Sequence, residues 1–172
     1  IYAGSSSVFV DETLSPYALS KANNVRLIKA CAKWFDLPYV VTYFYNVYGQ
    51  GQIEEGRMAT VIGIYEQCLR DKQLLPVVSP GTQQRDFTFI DDVVKGLVLA
   101  AEKGHGEYSF ITGKNYSMFD LVSALGVGYE MLPERLGERF NSIGDGNRAK
   151  ELGWKPTMDV TEYLLRVKAE LV

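Results

Sequence analysis

The sequence is poor in the side chains that most often bind metals or form disulfides. Its 172 residues contain one histidine, His105, and two cysteines, Cys31 and Cys68. Because there is neither a CxxC pair nor a second histidine, the sequence predicts no metal site. Each cysteine falls in an apparently helical segment and is interpreted as a small buried apolar residue, which fits a reducing, cytoplasmic compartment.

Long apolar runs and a strong excess of one charge are also missing. No stretch of about 18 apolar residues occurs, so we expect no membrane-spanning helix. Lys and Arg number 18 against 21 Asp and Glu, a formal net charge of −3. This balance removes any general electrostatic argument for binding nucleic acid or an anionic membrane. A small anionic ligand stays compatible with it, because such a ligand needs only a few well-placed cations.

Short apolar runs alternate with longer segments of helical periodicity, which predicts an α/β fold with parallel strands. Strands are expected at residues 1–9, 39–45, 75–78, 86–90 and 108–112. Helices are expected at residues 16–36, 58–72 and 91–103, after residue 117, and twice after residue 148. Residues 46–56 are expected to form a loop. Asp91 is predicted to cap a helix, and Ser117 with Asp120 to form a capping box.

The first strand leads to a prediction about domain organisation. A parallel strand as apolar as residues 1–9 needs neighbours on both sides. We therefore expect residues 1–56 to be the latter part of a doubly wound parallel-sheet domain. Residues 57–172 would mainly form a smaller C-terminal α/β substrate lobe, with about 86–103 returning to the main domain. The alternative is a self-sufficient small α/β domain.

The strongest candidate for chemistry is a serine run at residues 5–7 followed by Tyr17 and Lys21. Tyrosine and lysine four residues apart lie on one face of a helix, one turn from each other. A phenol is a weak base near neutral pH, but an ammonium group beside it favours the phenolate. A strand-end serine could hydrogen-bond the same substrate oxygen. The alternative is a packed aromatic ring with a solvated lysine; the serine run and the proline-started helix favour catalysis.

Several ordered motifs accompany this pair. They are SSSVF at residues 5–9, SPYALSK at 15–21, YFYNVYG at 43–49, QRDFTFIDDV at 84–93, RLGE at 135–138 and KELGWKP at 150–156. Together they resemble the NAD-dependent sugar-nucleotide epimerases and dehydratases of the extended short-chain dehydrogenase/reductase family. The resemblance covers essentially the whole chain and implies a Rossmann-like fold.

The resemblance also implies roles for individual residues. Tyr17 would be the catalytic base and acid, and Lys21 would hold the nicotinamide ribose of NAD. Ser5 matches the catalytic hydroxyl, with Ser6 as the reserve candidate for that role, and Ser6 is also predicted to contact the substrate. Tyr45 matches a position that contacts the nicotinamide through its main chain.

Three further residues match contacts to the substrate diphosphate, namely Asn46, Arg85 and Arg135. A guanidinium fork suits phosphate oxygens and keeps its charge at any working pH. The alternative for Arg85 is a surface cation that pairs with Asp86 or Asp91. Another arginine lies one turn after Arg135 and competes for the same role.

The chain departs from the family pattern at several positions. The glycine-rich dinucleotide loop, which should precede these motifs, is absent. GDGNRA at residues 144–149 fits GxGxxG/A, but it follows no convincing strand and is interpreted as a chance match. Tyr43 replaces an arginine, Gln50 replaces a proline, and the span from Ser7 to Tyr17 is short.

The residues after the candidate catalytic serine bear on the reaction. Dehydratases of this family usually carry an Asp-Glu pair there to expel water, whereas this chain has Ser6 and Ser7. We therefore predict NAD-dependent epimerisation at C4 of a nucleotide-diphosphate sugar through a 4-keto intermediate. The alternatives are a dehydratase or reductase of the same family, or an inactive fragment or interaction module that cannot bind cofactor alone. The resemblance also implies a homodimer through a helix bundle that includes about residues 16–36.

Overall fold

The computed structural model describes residues 1–9, 11–134 and 144–171. Helices and strands alternate along the chain, as the α/β prediction requires. The strands are β1 (Tyr2–Ser5), β2 (Val40–Phe44), β3 (Asn46–Tyr48), β4 (Leu75–Val78), β5 (Gln84–Phe89), β6 (Gly106–Phe110), β7 (Asn115–Ser117) and β8 (Tyr129–Leu132). The helices are α1 (Pro16–Phe35), α2 (Val61–Arg70), α3 (Ile90–Lys103), α4 (Met118–Leu125), α5 (Asn147–Glu151) and α6 (Val160–Glu170).

The first sheet is parallel and has the order β1-β2-β6. Alternate residues of a strand face opposite sides of its sheet. Accordingly, Val41 of β2 joins a buried cluster that includes Val25 of α1. Val40 joins a different cluster that includes Ala100 of α3. The sheet therefore has helices on both faces, which confirms the predicted parallel α/β architecture.

Two smaller sheets complete the described fold. In one, β5 pairs with β3 in parallel and with β7 in antiparallel, and in the other β4 pairs with β8 in parallel. Tyr65 of α2, Leu121 of α4 and Leu164 of α6 are fully buried in the core beside them. Because β6 lies in the first sheet while β3 and β5 lie outside it, the chain crosses between the sheets more than once. The division at residue 57 stays a prediction.

Local capping signals place two helices where the sequence predicts them. The Ser15 hydroxyl accepts the backbone N–H of Ala18 at 3.1 Å, and Pro16 begins α1. Ser117 and Asp120 form the predicted capping box at the start of α4. Each cap satisfies a backbone N–H that the helix itself leaves without a partner.

Several predicted boundaries were wrong. The first strand ends at Ser5, and residues 6–9 form a 3₁₀ turn instead of extending it. The segment 46–56 is not all loop, because it contains β3. Helix α3 begins at Ile90, so Asp91 lies in its first turn and does not cap it. Strands β7 and β8 were not predicted. Elements as short as β3 and β7 contain too few residues to give a periodic signal, and their sheet partners are distant in sequence.

Candidate functional site

Ser5 ends β1 and turns its hydroxyl group towards the serines that follow. Its Oγ accepts hydrogen bonds from the backbone N–H of Ser7 at 3.3 Å and from the Ser7 hydroxyl at 3.0 Å. Ser7 is buried, whereas Ser5 and Ser6 are partly exposed. Since Ser5 Oγ is the acceptor in both contacts, neither contact uses its own O–H, which can donate to a ligand.

Tyr17 and Lys21 lie in the first turns of α1, beside β1. The Lys21 ammonium donates to the backbone carbonyl of Ala3 at 2.9 Å and lies 5.8 Å from the centre of the Tyr17 ring. Tyr17 is 56% exposed. The structure therefore brings the phenol and the ammonium together and leaves the tyrosine accessible.

Tyr45 and Asn46 come directly after β2, at the same end of the parallel sheet. Ser5 pairs with Phe44, the last residue of β2. In sheets of this type ligands bind outside the carboxyl ends of the strands. Tyr45 is 5% exposed and belongs to the buried cluster that includes Ile111.

Asn46 and Arg85 line one cavity of about 310 Å³. Arg85 donates from Nη1 to the carbonyl of Gln84 at 2.9 Å and is partly exposed. Much of the lining is apolar, with a few polar groups, as is typical of small-molecule sites. The residues that line it are Asn46, Val47, Ala59, Thr60, Val61, Ile62, Pro76, Val78, Gln83, Arg85, Phe87 and Met118. Tyr17, Lys21, Ser5 and Ser6 are not among them, and Arg135 lies outside the described residues.

Sequence reasoning missed Gln83, which supports one wall of this cavity. Its side chain is 2% exposed, and its amide donates to the carbonyl of Val78 at 3.0 Å. Both residues line the cavity, so this bond fixes the turn that leads from β4 to β5. The position of Gln83, two residues before Arg85, is the only sequence signal that could have indicated it.

A second missed group is the buried carboxylate of Glu66 in α2. It accepts a hydrogen bond from Gln52 at 2.5 Å, and Gln52 accepts one from the Thr60 hydroxyl at 2.8 Å. Burial raises the pKa of Glu66 above its ordinary value. The chain of contacts connects α2 to the cavity wall at Thr60. Four-residue spacing from the buried Ile62 could have indicated an inward-facing acid.

Asp86 follows Arg85, and its side chain has a structural role. Its carboxylate accepts the N–H of Thr112 at 3.0 Å, the Thr112 hydroxyl at 2.8 Å and the N–H of Gly113 at 2.7 Å. Burial raises the pKa of Asp86 in spite of these hydrogen bonds, which act to lower it. The carboxylate thereby holds the loop after β6 against β5.

Two features of the described residues bear on the class of site. Across 1–9, 11–134 and 144–171, no group of three or more His, Cys, Asp or Glu side chains is placed to hold a metal ion. None of the helices in these ranges is long and apolar enough to cross a membrane.

Comparison with known proteins adds a family match to this geometry. Residues 3–111 match the model of the NAD dependent epimerase/dehydratase family. The chain is 32% identical over 161 residues to the UDP-glucose 4-epimerase of Mycolicibacterium smegmatis, an alignment that covers 88% of this chain and 51% of that protein. It is also 30% identical over 159 residues to the dTDP-glucose 4,6-dehydratase of Salmonella typhimurium, with 83% of this chain and 43% of that protein covered.

A solved structure agrees with these matches. The UDP-glucose 4-epimerase of Thermotoga maritima, determined with UDP-glucose, superposes with a TM-score of 0.82 at 30% identity. The match covers 91% of this chain and 53% of that one. The chain thus spans about half the length of the curated relatives that it matches.

Proposed function

The chain belongs to the NAD-dependent epimerase/dehydratase family, and from this we propose that its protein interconverts nucleotide-diphosphate sugars that differ in configuration at C4, through a transient 4-keto intermediate. One observation carries the proposal. The Lys21 ammonium of the Tyr17–Lys21 pair is bound to β1 at Ala3, and the Ser5 hydroxyl stands at the carboxyl end of that strand. Asn46 of the cavity comes two residues after the β2 residue that pairs with Ser5. A reactive group and an anion-binding group are therefore carried by, or follow, two neighbouring parallel strands.

The proposed proton chemistry belongs to Tyr17. Its exposed phenol would take the proton of the sugar C4 hydroxyl and return it after the configuration has changed. The Lys21 ammonium lies 5.8 Å from the centre of the Tyr17 ring, beside the group that would carry this proton. Ser5 would donate its unused O–H to the same sugar oxygen and hold it in place.

The side chains at this edge suit the nicotinamide–ribose end of NAD. Lys21 would offer an ammonium to ribose hydroxyl groups, Tyr17 is 56% exposed, and Tyr45 would contact the cofactor through its main chain. These three residues would hold that part of the cofactor. When bound, NAD accepts a hydride from the sugar and gives it back.

The substrate diphosphate would lie in the Asn46–Arg85 cavity. Arg85 supplies a bidentate donor that keeps its charge, and Asn46 supplies the amide N–H that it does not donate to Asp86; both would donate to phosphate oxygens. The apolar lining from Pro76, Val78 and Phe87 suits the flat face of a nucleotide base. Arg135 as a second diphosphate cation and Ser6 as a sugar contact remain parts of the proposal.

The serines at residues 6 and 7 favour epimerisation over loss of water. Ser7 is buried and its hydroxyl already donates to Ser5. A hydroxyl group in that position cannot readily supply an acid or a base near neutral pH. A dehydratase or reductase of the same family is the second candidate, and the 30% identity of this chain to a dehydratase supports it.

We also propose a cytoplasmic homodimer that buries the outer face of α1. Leu27, Trp34 and Phe35 of this helix are 57%, 66% and 74% exposed. Apolar side chains grouped in this way mark interaction surfaces. If the chain is instead a module without cofactor, this helix face would be its main functional feature.

The decisive experiment follows a deuterium atom placed on C4 of UDP-glucose. The purified full-length protein is supplied with NAD and this substrate, and the products are identified by NMR and mass spectrometry. Epimerisation gives a C4 epimer with the deuterium still on C4, because the hydride that leaves C4 returns to it. A 4-keto-6-deoxy product with deuterium on C6 would establish the dehydratase instead. Absence of both product and bound NAD would indicate the non-catalytic alternative.

A further inference from the structure

Tyr2 lies beneath the ammonium group that the proposed chemistry needs. The Lys21 nitrogen is 5.1 Å from the centre of the Tyr2 ring, closer than it is to the Tyr17 ring. An ammonium within about 6 Å of a tyrosine ring face is attracted by the negative charge of that face. The Ala3 carbonyl, one residue after Tyr2, accepts from the same ammonium. Two consecutive residues of β1 thus hold Lys21.

The Tyr2 ring is itself held in place. Its hydroxyl accepts a hydrogen bond from the side-chain amide of Asn24 at 3.0 Å. Asn24 lies one turn after Lys21 on α1, so both side chains reach back to β1 from the same helix face. The backbone of Tyr2 pairs with Val41 in the parallel ladder, and its side chain packs on the cluster around Val41. The ring is a preorganised surface.

A lysine needs such a surface because its four-carbon stem has many accessible rotamers. Without the ring, the Ala3 carbonyl would be, among the described residues, the only hydrogen-bond acceptor left to hold the ammonium beside Tyr17. We propose that Tyr2 is a positioning residue, which holds the Lys21 ammonium next to Tyr17 through its ring face while Asn24 fixes the ring. The consequence for turnover rests on the proposed function, but the contact itself does not.

The test compares Tyr2→Leu with Tyr39→Leu in the full-length protein. Tyr39 packs on the same cluster and is the matched control, since it makes no described contact with Lys21. In NMR spectra of lysine labelled at the ε-carbon, the Tyr2 ring should shift the Lys21 ε-protons upfield. The Lys21 signals are assigned as those that disappear from the spectrum of Lys21→Arg. Tyr2→Leu should abolish this shift and lower kcat for the nucleotide sugar about tenfold, with little change in KM. Tyr39→Leu should leave both unchanged.

The two readouts separate this proposal from the proposed function. If the wild-type protein turns over no nucleotide sugar, the proposed function fails, and the NMR shift still decides whether Tyr2 holds Lys21. An unchanged Lys21 shift in Tyr2→Leu, or a loss of kcat no greater than in Tyr39→Leu, would overturn the assignment. If Tyr2→Leu does not fold, phenylalanine with increasing ring fluorination at this position keeps the shape and withdraws charge from the ring face. The Lys21 ammonium should then be held less tightly with each added fluorine, which the upfield shift of its ε-protons measures. A shift that does not change with fluorination would also overturn the proposal.

Discussion

The side-chain amide of Asn46 donates a hydrogen bond to the backbone carbonyl of Asp86 at 2.7 Å. This contact joins the start of β3 to β5 next to Arg85 and so fixes the two cavity residues relative to each other. It uses one N–H of the amide and leaves the other N–H and the oxygen of Asn46 for a ligand. Asn46 is therefore both a structural link and a candidate ligand contact.

Arg85→Gln should weaken binding of UDP about tenfold to a hundredfold, because one charge-assisted contact to a phosphate is lost. Titration calorimetry with UDP measures this, and uridine, which lacks the diphosphate, should bind both proteins equally. The affinity of Arg85→Lys for UDP should lie between those of wild type and Arg85→Gln, because lysine keeps the charge but lacks the guanidinium fork. Arg166→Gln, at an exposed arginine of α6, is the matched control. Equal affinity of wild type and Arg85→Gln for UDP would remove Arg85 from the site.

Tyr17→Phe should lower kcat by about two to four orders of magnitude, the usual contribution of a general acid–base group. Because Tyr17 is 56% exposed, loss of its hydroxyl should change the free energy of unfolding by less than about 0.5 kcal/mol. Steady-state turnover and urea unfolding measure the two effects. Tyr129→Phe, at another exposed tyrosine, should leave turnover unchanged. A Tyr17→Phe protein as active as wild type would exclude the phenol as the base.

The sequence could predict those features that depend on neighbours within one turn. Ser15 and Pro16 define the start of α1 because a cap and its N–H lie three residues apart. Spacing alone likewise places Tyr17 and Lys21 on one helix face. The apolar run in β2 indicates a strand buried on both faces, which the structure confirms.

Contacts between residues distant in the chain could not be predicted in this way. Glu66 and Gln52 are 14 residues apart, and Asp92 and Thr157 are 65 apart. No local periodicity reports on such pairs, because the fold alone brings them together. Asp92 shows the effect. It stands next to the predicted cap Asp91 near a helix start, but its carboxylate is buried and binds Thr157 of another segment.

Asp92→Ala should lower the free energy of unfolding by about 3 kcal/mol, because several hydrogen bonds to a buried carboxylate are lost and their donors are left unpaired. That carboxylate accepts the N–H of Thr157 at 2.6 Å and its hydroxyl at 2.7 Å, which holds the C-terminal segment on α3. Urea unfolding measures the change. Asp91→Ala, at the exposed neighbouring residue, should change stability by less than about 0.5 kcal/mol. Similar losses in the two variants would contradict this view of Asp92.

Trp34→Glu should convert the proposed dimer into a monomer, because a charge would be placed in an apolar interface without a partner. Sedimentation velocity at micromolar protein concentration measures the state of association. Leu27, two helical turns earlier on the same face, should respond in the same way to Leu27→Glu. Met58→Glu is the control, since Met58 is 77% exposed and lies outside α1. A monomeric wild-type protein, or a Trp34→Glu protein that remains dimeric, would exclude this interface.

The pH dependence of stability should carry a contribution from Asp159, the N-cap of α6. Partial burial acts to raise its pKa, but hydrogen bonds from Tyr116, Thr161 and Lys114 outweigh burial and lower the pKa to about 2. A carboxyl group whose pKa is lower in the folded state stabilises the fold above its unfolded pKa, about 4, and loses that effect as the pH falls towards 2. The wild type should therefore exceed Asp159→Asn in unfolding free energy by about 1 to 2 kcal/mol near neutral pH. Urea unfolding from pH 7 to pH 2 should show this difference shrinking only below about pH 4. Asp71→Asn, at an exposed site, is the matched control, and a difference for Asp159→Asn that stays constant down to pH 2 would contradict the assignment.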